Sequence, residues 1–399
     1  MKNCNYIYNL NQYCKTNGLN DRLTFYDQDK TPLNEVLKGI CPYSKIALVF
    51  DKYSYDEYNS YSSKLVEFGF NVVTIIEEDF YLSVENTAKL YSLSEEVRGI
   101  VCFTPKAFDL VSYFASINNI KVVFYIDSLD IIDSLKNRAI VKNGAMYDYV
   151  KLDLCRHIVF DNQKISIKRE DQAQLYIHIL SRLISLIDYR IGGLAETNSL
   201  DSAVYNPLRD AVLKTYLIYT KSYEEQPFHL LENFYMAEIL NILSNGQLAD
   251  YSAPSLTAFL YGDYKLSSSI NLLERLLGLY AIAFKIQGQN TLAIRNYFCD
   301  LVSIKTLSNM TAIETYPLIK KKASIYKDKE DSFVKLMQTL KNEIDLLSRS
   351  IKTIKQTYLA LGGRENFDSN RINECMCYSG CIFDCFNGVS LVKEMGVLD

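Results

Sequence analysis

Four short apolar runs near the start of the chain alternate with stretches of helical period, and this alternation constrains the fold more than any other feature. The runs are Lys45-Ile46-Ala47-Leu48-Val49-Phe50, Asn71-Val72-Val73-Thr74-Ile75-Ile76, Ile100-Val101-Cys102 and Lys121-Val122-Val123-Phe124-Tyr125. A tyrosine-rich helical stretch running to Phe68 and stopped by Gly69 joins the first two. Residues Val84 to Leu93 lead to the third, and an amphipathic run from Lys106 to Ala115 joins the last two. Parallel strands need a helix-length crossover, so this spacing predicts parallel pairing with helices on both sheet faces. An α/β domain is predicted over residues 1–165.

From residue 166 onward the period becomes helical and stays so. Leu175 to Ile191, Leu230 to Leu243, Ile270 to Phe284 and Leu292 to Leu307 all carry apolar residues at helical spacing. The clearest stripe is Phe333, Leu336, Met337, Leu340, Ile344, Leu347, Ile351 and Ile354, which Gly362-Gly363 brings to a stop. A second, all-helical domain is predicted over residues 166–399, with the cleft between the two as the default ligand site.

The turn after the strand at Ile100 reads Phe103-Thr104-Pro105. A dinucleotide-binding turn uses glycines so that the backbone and its N–H groups can approach a pyrophosphate at a helix N-terminus. Proline brings no N–H, and phenylalanine fills the approach. The frame of a nucleotide-binding unit is present with its turn overwritten.

A formal net charge of -4 gives no electrostatic case for a nucleic-acid partner. The one short basic run, Lys320-Lys321-Lys322, reads as a solvated helix end. No run of about 18 apolar residues occurs, so no membrane span is expected. The first residues, Met1-Lys2-Asn3-Cys4-Asn5, lack the apolar core of a signal peptide, which predicts a cytoplasmic protein. Ten cysteines then read as reduced thiols. Cys375, Cys377, Cys381 and Cys385 cluster, the last three at i, i+4, i+8. The cluster reads either as small side chains packing one helix face or as a metal site, and packing is favoured.

Several segments in order resemble the sn-glycerol-1-phosphate dehydrogenases, which group with glycerol dehydrogenases, iron-containing alcohol dehydrogenases and dehydroquinate synthases. They are Ile46 to Asp51, the unit from Ile100 to Ala115, the helix Leu180-Ser181-Arg182-Leu183-Ile184-Ser185-Leu186-Ile187-Asp188-Tyr189-Arg190, and the ending Val392 to Leu398. The resemblance implies a Rossmann-like N-terminal nucleotide-binding domain and an all-α C-terminal domain, the dehydroquinate synthase-like fold. It also implies a divalent metal that polarises a small phosphorylated ketone and a nicotinamide cofactor that supplies hydride.

Carried over residue by residue, the family's glycine triplet falls on Phe103, Thr104 and Pro105. The aspartate that follows is kept as Asp109, a lysine falls on Ser112, and a proline-threonine pair falls on Ile126-Asp127. Asp51, Lys106 and Asp109 join the turn as candidate cofactor-facing residues, although for Asp109 a helix-face carboxylate is the favoured reading. The first metal-ligand position falls on His178, the second near Phe259 or Leu260, and the third between Leu273 and Leu276. Only His157, His178 and His229 are histidines, so a two-histidine site in the C-terminal half is excluded by count. Asp263 and Glu274 lie in the right stretch to substitute, and oxygen donors favour magnesium, calcium or manganese.

Two expectations follow. The favoured one is a non-catalytic relative without NAD(P) or metal, a binding or assembly module for a protein partner or a second copy of itself. The alternative is an NAD(P)-linked oxidoreductase acting on a small phosphorylated polyol or ketone through a rebuilt site. In that case Lys106 and Asp109 would serve, with His178 and Asp188 as catalytic candidates.

Overall fold

The apolar runs form four neighbouring strands, reaching one edge, of a six-stranded, wholly parallel sheet in a computed structural model of the chain. The structure describes residues 5–78, 80, 82–91, 96–128, 138–143, 146–152, 156–165, 169–196, 205–210, 213, 227–243, 270–285, 312–363 and 386–395. The chain divides into two units, Met1–Ile167 and Lys168–Asp399.

In the first unit the sheet strands are β1 (Leu23–Asp27), β2 (Lys45–Phe50), β3 (Asn71–Ile76), β4 (Val97–Cys102), β5 (Lys121–Ile126) and β8 (Arg156–Phe160). They lie in the order β1-β8-β5-β4-β2-β3. Two further strands, β6 (Arg138–Asn143) and β7 (Met146–Lys151), pair antiparallel as a separate hairpin. Ile46 to Phe50 and Ile100 to Cys102 are buried residue after residue, as strands covered on both faces must be. The helices of this unit are α1 (Tyr6–Thr16), α2 (Leu33–Ile40), α3 (Lys52–Tyr58), α4 (Ser60–Glu67), α5 (Val84–Tyr91) and α6 (Phe108–Asn118).

The tyrosine-rich stretch expected as one helix is two, α3 and α4, meeting at Asn59. Gly69 ends α4 at a φ of 88°, a backbone angle that a side chain would strain. Cys14, Cys41 and Cys102 are buried thiols.

The second unit is helical among its described residues: α7 (Arg169–Glu196), α8 (Pro227–Leu243), α9 (Ile270–Lys285), α10 (Ala312–Ala360) and α11 (Gly388–Glu394). The stripe predicted along α10 faces inward, with Phe333, Met337, Leu340, Ile344, Leu347 and Ile354 buried. Gly362 follows this helix at a φ of 93°. The helix bends at Lys329, whose φ of -125° departs from helical geometry. There the ammonium donates to the carbonyls of Leu194 and Ala195, at 2.9 and 2.8 Å, in the last turn of α7. Those carbonyls have no helical partner, so a lysine from a neighbouring helix satisfies them.

The lysine run at 320–322 is not a solvated helix end. It lies inside α10, and Lys322 is buried. The cysteine cluster at 375, 377, 381 and 385, the helical stretch at 292–307, Phe259 and Asp263 lie outside the described residues. Among the described residues no helix is long and apolar enough to cross a membrane.

Candidate functional site

The strand order fixes where a ligand crevice belongs in the first unit. After β2 the chain moves outward to β3, whereas after β4 it moves the other way to β5. In open α/β sheets the crevice opens where the direction reverses, beyond the carboxyl ends of those two strands. Asp51 follows β2 there, and Phe103-Thr104-Pro105 follows β4.

Five of the six sheet strands end in or run directly into a carboxylate: Asp27, Asp51, Glu77, Asp127 and Asp161. Only β4 does not, and it supplies Phe103. The Phe103 ring is buried and stacks on Phe50 at 4.8 Å and on Tyr58 at 5.3 Å. Tyr125 and Tyr61 lie 5.1 and 5.4 Å away. The phenols are wired to the strand-end acids. Tyr125 donates to Asp161 at 2.7 Å, Tyr58 donates to Asp127, and the Tyr61 and Tyr125 hydroxyls lie 3.1 Å apart. Burial, with these carboxylates beside it, pushes the Tyr58 and Tyr125 phenols far up, so both stay protonated donors.

Asp51 is occupied by its own neighbours. As the N-cap of α3 it accepts from the Ser54 amide at 2.9 Å, and Ser54 Oγ accepts from the Asp51 amide at 2.9 Å. Thr104 donates to its second oxygen at 3.2 Å, and Lys106 pairs with that oxygen at 2.9 Å. Burial would raise this carboxyl, but the Ser54 bonds and the Lys106 charge together hold it below its ordinary value. Pro105 opens a short 3-10 turn leading into α6.

Asp109 sits in the first turn of α6, where its charge supports the buried Arg156 guanidinium against burial, which draws Arg156 down to about 10. Ser112 and Ile126 are buried. These residues do not fit a pyrophosphate. The turn offers a ring and a proline in place of approachable amides, and the surrounding edge is anionic.

In the second unit α7 carries a buried polar stripe: His178, Ser181, Arg182, Ser185 and Asp188. His178 and Arg182, one turn apart, converge on Glu238 of α8. Arg182 Nε donates to Glu238 Oε1 at 3.1 Å, Nη2 donates to the same oxygen, and His178 Nε2 lies 3.3 Å from both Oε1 and Nη2. Burial would raise Glu238, but the Arg182 charge and the two partners' bonds outweigh it and hold the carboxyl near about 2.

Further along the stripe, Asp188 Oδ1 accepts from Tyr280 of α9 and from the amide of Gly388 at 3.0 Å. Asp188 Oδ2 has no partner, burial pushes this carboxyl well above its ordinary range, and its bonds tie three helices together. A side chain at Gly388 would overlap both Tyr280 Oη and Asp188 Oδ1, so this junction requires glycine.

The donor set around His178 does not fit a divalent metal. A guanidinium already faces the imidazole nitrogen, and Leu273 and Leu276, in the stretch expected to supply a further ligand, are buried hydrocarbon. Glu274 is exposed and pairs with Lys355 at 3.2 Å. His157, in β8, lies 3.2 Å from the Tyr26 hydroxyl. His229 is on α8, 3.7 Å from Glu232.

Of the residues singled out in the sequence, Asp51, Phe103, Thr104 and Lys106 come together, while Asp109 serves Arg156. His178 and Asp188 share α7 but belong to separate clusters. Sequence reasoning missed Arg182, Glu238, Tyr280, Tyr58, Tyr125 and Asp161. Only Arg182 carried a local signal, its i+4 spacing from His178.

No family model and no curated protein matches the sequence. Solved structures do match it. An archaeal halo-thermophilic alcohol dehydrogenase from a Red Sea brine pool superposes with a TM-score of 0.55 at 10% identity, covering 91% of each chain. An iron-containing alcohol dehydrogenase from Corynebacterium glutamicum gives 0.51 at 12% identity, covering 89% of this chain and 86% of that one. A sulfoacetaldehyde reductase from Bifidobacterium kashiwanohense, solved with NAD+, gives 0.51 at 11%, covering 90% of each. At these identities the likeness establishes architecture alone. The chain has the two-domain, dehydroquinate synthase-like fold of the iron-containing alcohol dehydrogenases, with a Rossmann-like N-terminal unit and a helical C-terminal unit.

Proposed function

We propose that this chain is a non-catalytic protein on a dehydrogenase scaffold, a cytoplasmic binding or assembly module whose ligand is a protein partner or a second copy of itself. The observation that carries the reading is Phe103. Its ring is stacked among Phe50, Tyr58, Tyr61 and Tyr125 at the point of the sheet where a dinucleotide would lie. The strand-end carboxylates reinforce it, because a pyrophosphate brought there would meet like charge. The guanidinium beside His178 removes the Lewis acid that carbonyl reduction in such a scaffold would use. The core of both units is intact, and packing and catalysis are separate demands on a sequence.

Thermal denaturation with NADH, NADPH and a panel of divalent metals tests the reading. A ligand at about 1 mM with a dissociation constant of about 10 μM contributes roughly 2.7 kcal/mol. The expected outcome is no shift with any of them. A shift of several degrees with a nicotinamide would refute the proposal and favour the alternative, an oxidoreductase with a rebuilt site for the class of small phosphorylated polyol or ketone that the sequence resemblance implies.

A further inference from the structure

The two edges of the six-stranded sheet are finished differently. At β1 a side chain closes the edge: Asn11 of α1 donates through Nδ2 to the Phe25 carbonyl at 2.8 Å and accepts on Oδ1 from the Phe25 amide at 2.9 Å. A further strand would make the same pair of bonds, so Asn11 stands where it would lie. At the opposite edge β3 pairs with β2 alone among the described residues. The Glu77 amide donates back to Phe50 of β2, so strand alternation turns the peptide groups of Val72, Thr74 and Ile76 outward. Thr74 and Ile76 are exposed. The run Asn71-Val72-Val73-Thr74-Ile75-Ile76 holds no charge and no proline, and its register with β2 is unbroken. Edges meant to face water carry such guards, and an edge without them is a template for another strand.

Helix α5 lies beside this edge, where Lys89 pairs with Glu77 at 3.4 Å. Its outer face presents Val84, Ala88 and Tyr91 at i, i+4, i+7, all three exposed and Val84 81% so. An apolar stripe at that spacing is built to lie against a neighbour. Glu85 is in the first turn of the helix and Lys89 in the last.

We propose that β3 is a homodimer edge: two copies of this chain join antiparallel through β3 about a two-fold axis at Thr74, and their sheets become one. In that register Val72 of one copy exchanges hydrogen bonds with Ile76 of the other, and Thr74 with its own counterpart. The axis stands normal to the sheet, so the two α5 helices share one face and run antiparallel. Each Val84 then turns toward the other copy's Tyr91, and each acidic helix start toward the other's basic end. A stable dimer buries about 1,200–2,000 Å² in all, more than one strand pair offers, and the α5 stripe extends the contact. A second copy is the occupant because strand, stripe and charges are each complementary to themselves under this one axis. The proposal names the partner that the non-catalytic reading leaves open and rests on that reading only there.

Sedimentation velocity of the full-length chain without ligand, from about 1 to about 50 μM, tests it on the wild type, Thr74→Lys and Thr74→Glu. The wild type is expected to sediment as two chains at the upper concentration. Each variant sets like charges face to face across the axis and is expected to sediment as one chain, with the wild-type far-ultraviolet spectrum. An equal mixture of the two variants should regain the two-chain species, because unlike charges then meet. Hydrogen exchange on the wild type needs no variant: at the Val72, Thr74 and Ile76 amides it should slow about tenfold once about nine-tenths of the chains are paired.

A wild type that stays a single chain, with those amides exchanging equally fast at both concentrations, overturns the proposal and leaves the edge to a strand of another protein. So does a dimer that both substitutions leave intact. A nicotinamide shift in the melting experiment would overturn the functional reading, while the oligomeric state, measured without ligand, stands or falls separately.

Discussion

Replacing Phe103 with alanine tests whether the ring is the plug of the crevice or a passenger on it. The side chain is 4% exposed, and four aromatic rings lie within 5.4 Å of its centre. Truncating a phenylalanine in such surroundings costs about 3–5 kcal/mol, from lost transfer energy and from the void left behind. For a unit of about 170 residues each kcal/mol lowers the melting point by about 2–4 °C, so the N-terminal transition should fall by roughly 6–20 °C. The chain has 31 tyrosines and no tryptophan, so near-ultraviolet circular dichroism reports tyrosine packing, that of Tyr58, Tyr61 and Tyr125 included. The variant should lose near-ultraviolet signal at 20 °C while its far-ultraviolet spectrum is kept. It should still ignore NADH, because Asp51, Asp127 and Asp161 remain. A loss below about 1 kcal/mol would show that the aromatic cluster does not depend on Phe103, and the argument for a filled crevice would fail with it.

Gly388→Ala places a Cβ against Tyr280 and Asp188 and should cost about 1–3 kcal/mol, read as a lower urea midpoint; an unchanged midpoint would refute the close junction. Two buried acids should give opposite pH slopes. The Glu238 carboxyl is held near 2 against an ordinary 4.5, so its contribution is full above pH 4.5 and drains as pH falls toward 2. Glu238→Gln should flatten the acid limb of melting temperature against pH. The Asp188 carboxyl is raised, so its contribution is full below the ordinary carboxylate range and is lost as pH rises through the raised value. Asp188→Asn should flatten that limb, and a wild-type slope kept in either variant would refute the assignment.

The central strands were legible because they are covered on both faces: Ile46 to Phe50 and Val122 to Tyr125 are apolar without interruption, and only a buried parallel strand needs that. The edge strand Asn71–Ile76 was legible too, but the two strands on the other side, β8 and β1, were not. In β1, Leu23-Thr24-Phe25-Tyr26-Asp27 mixes polar and apolar residues. In β8 the first residue is a buried arginine, whose charge is supported by Asp109 from a helix far away in sequence. The break at Asn59 has no glycine or proline to announce it.

The candidate site divides the same way. Phe103 could be read as an obstacle from its own turn, and His178 could be noticed as a lone histidine in an apolar helix. Glu238 lies sixty residues beyond His178, and nothing near it in sequence marks it as the acid that completes a triad. Local pattern encodes burial, whereas pairing of buried charges is decided by which helices meet.

The strand order also has a consequence for synthesis. Strand β8 lies between β5 and β1, so Leu23 pairs with Arg156 across roughly 130 residues. A growing chain that has already made β1 through β5 has no place in the sheet for β1 until β8 emerges. Until then the apolar side chains of Leu23 and Phe25, both buried in the finished sheet, lack their β8 partners. The first strand translated is thus among the last to be seated. A chain cut short before Arg156 would expose two unpaired edges together and would be a substrate for chaperones and proteases rather than a smaller version of the domain.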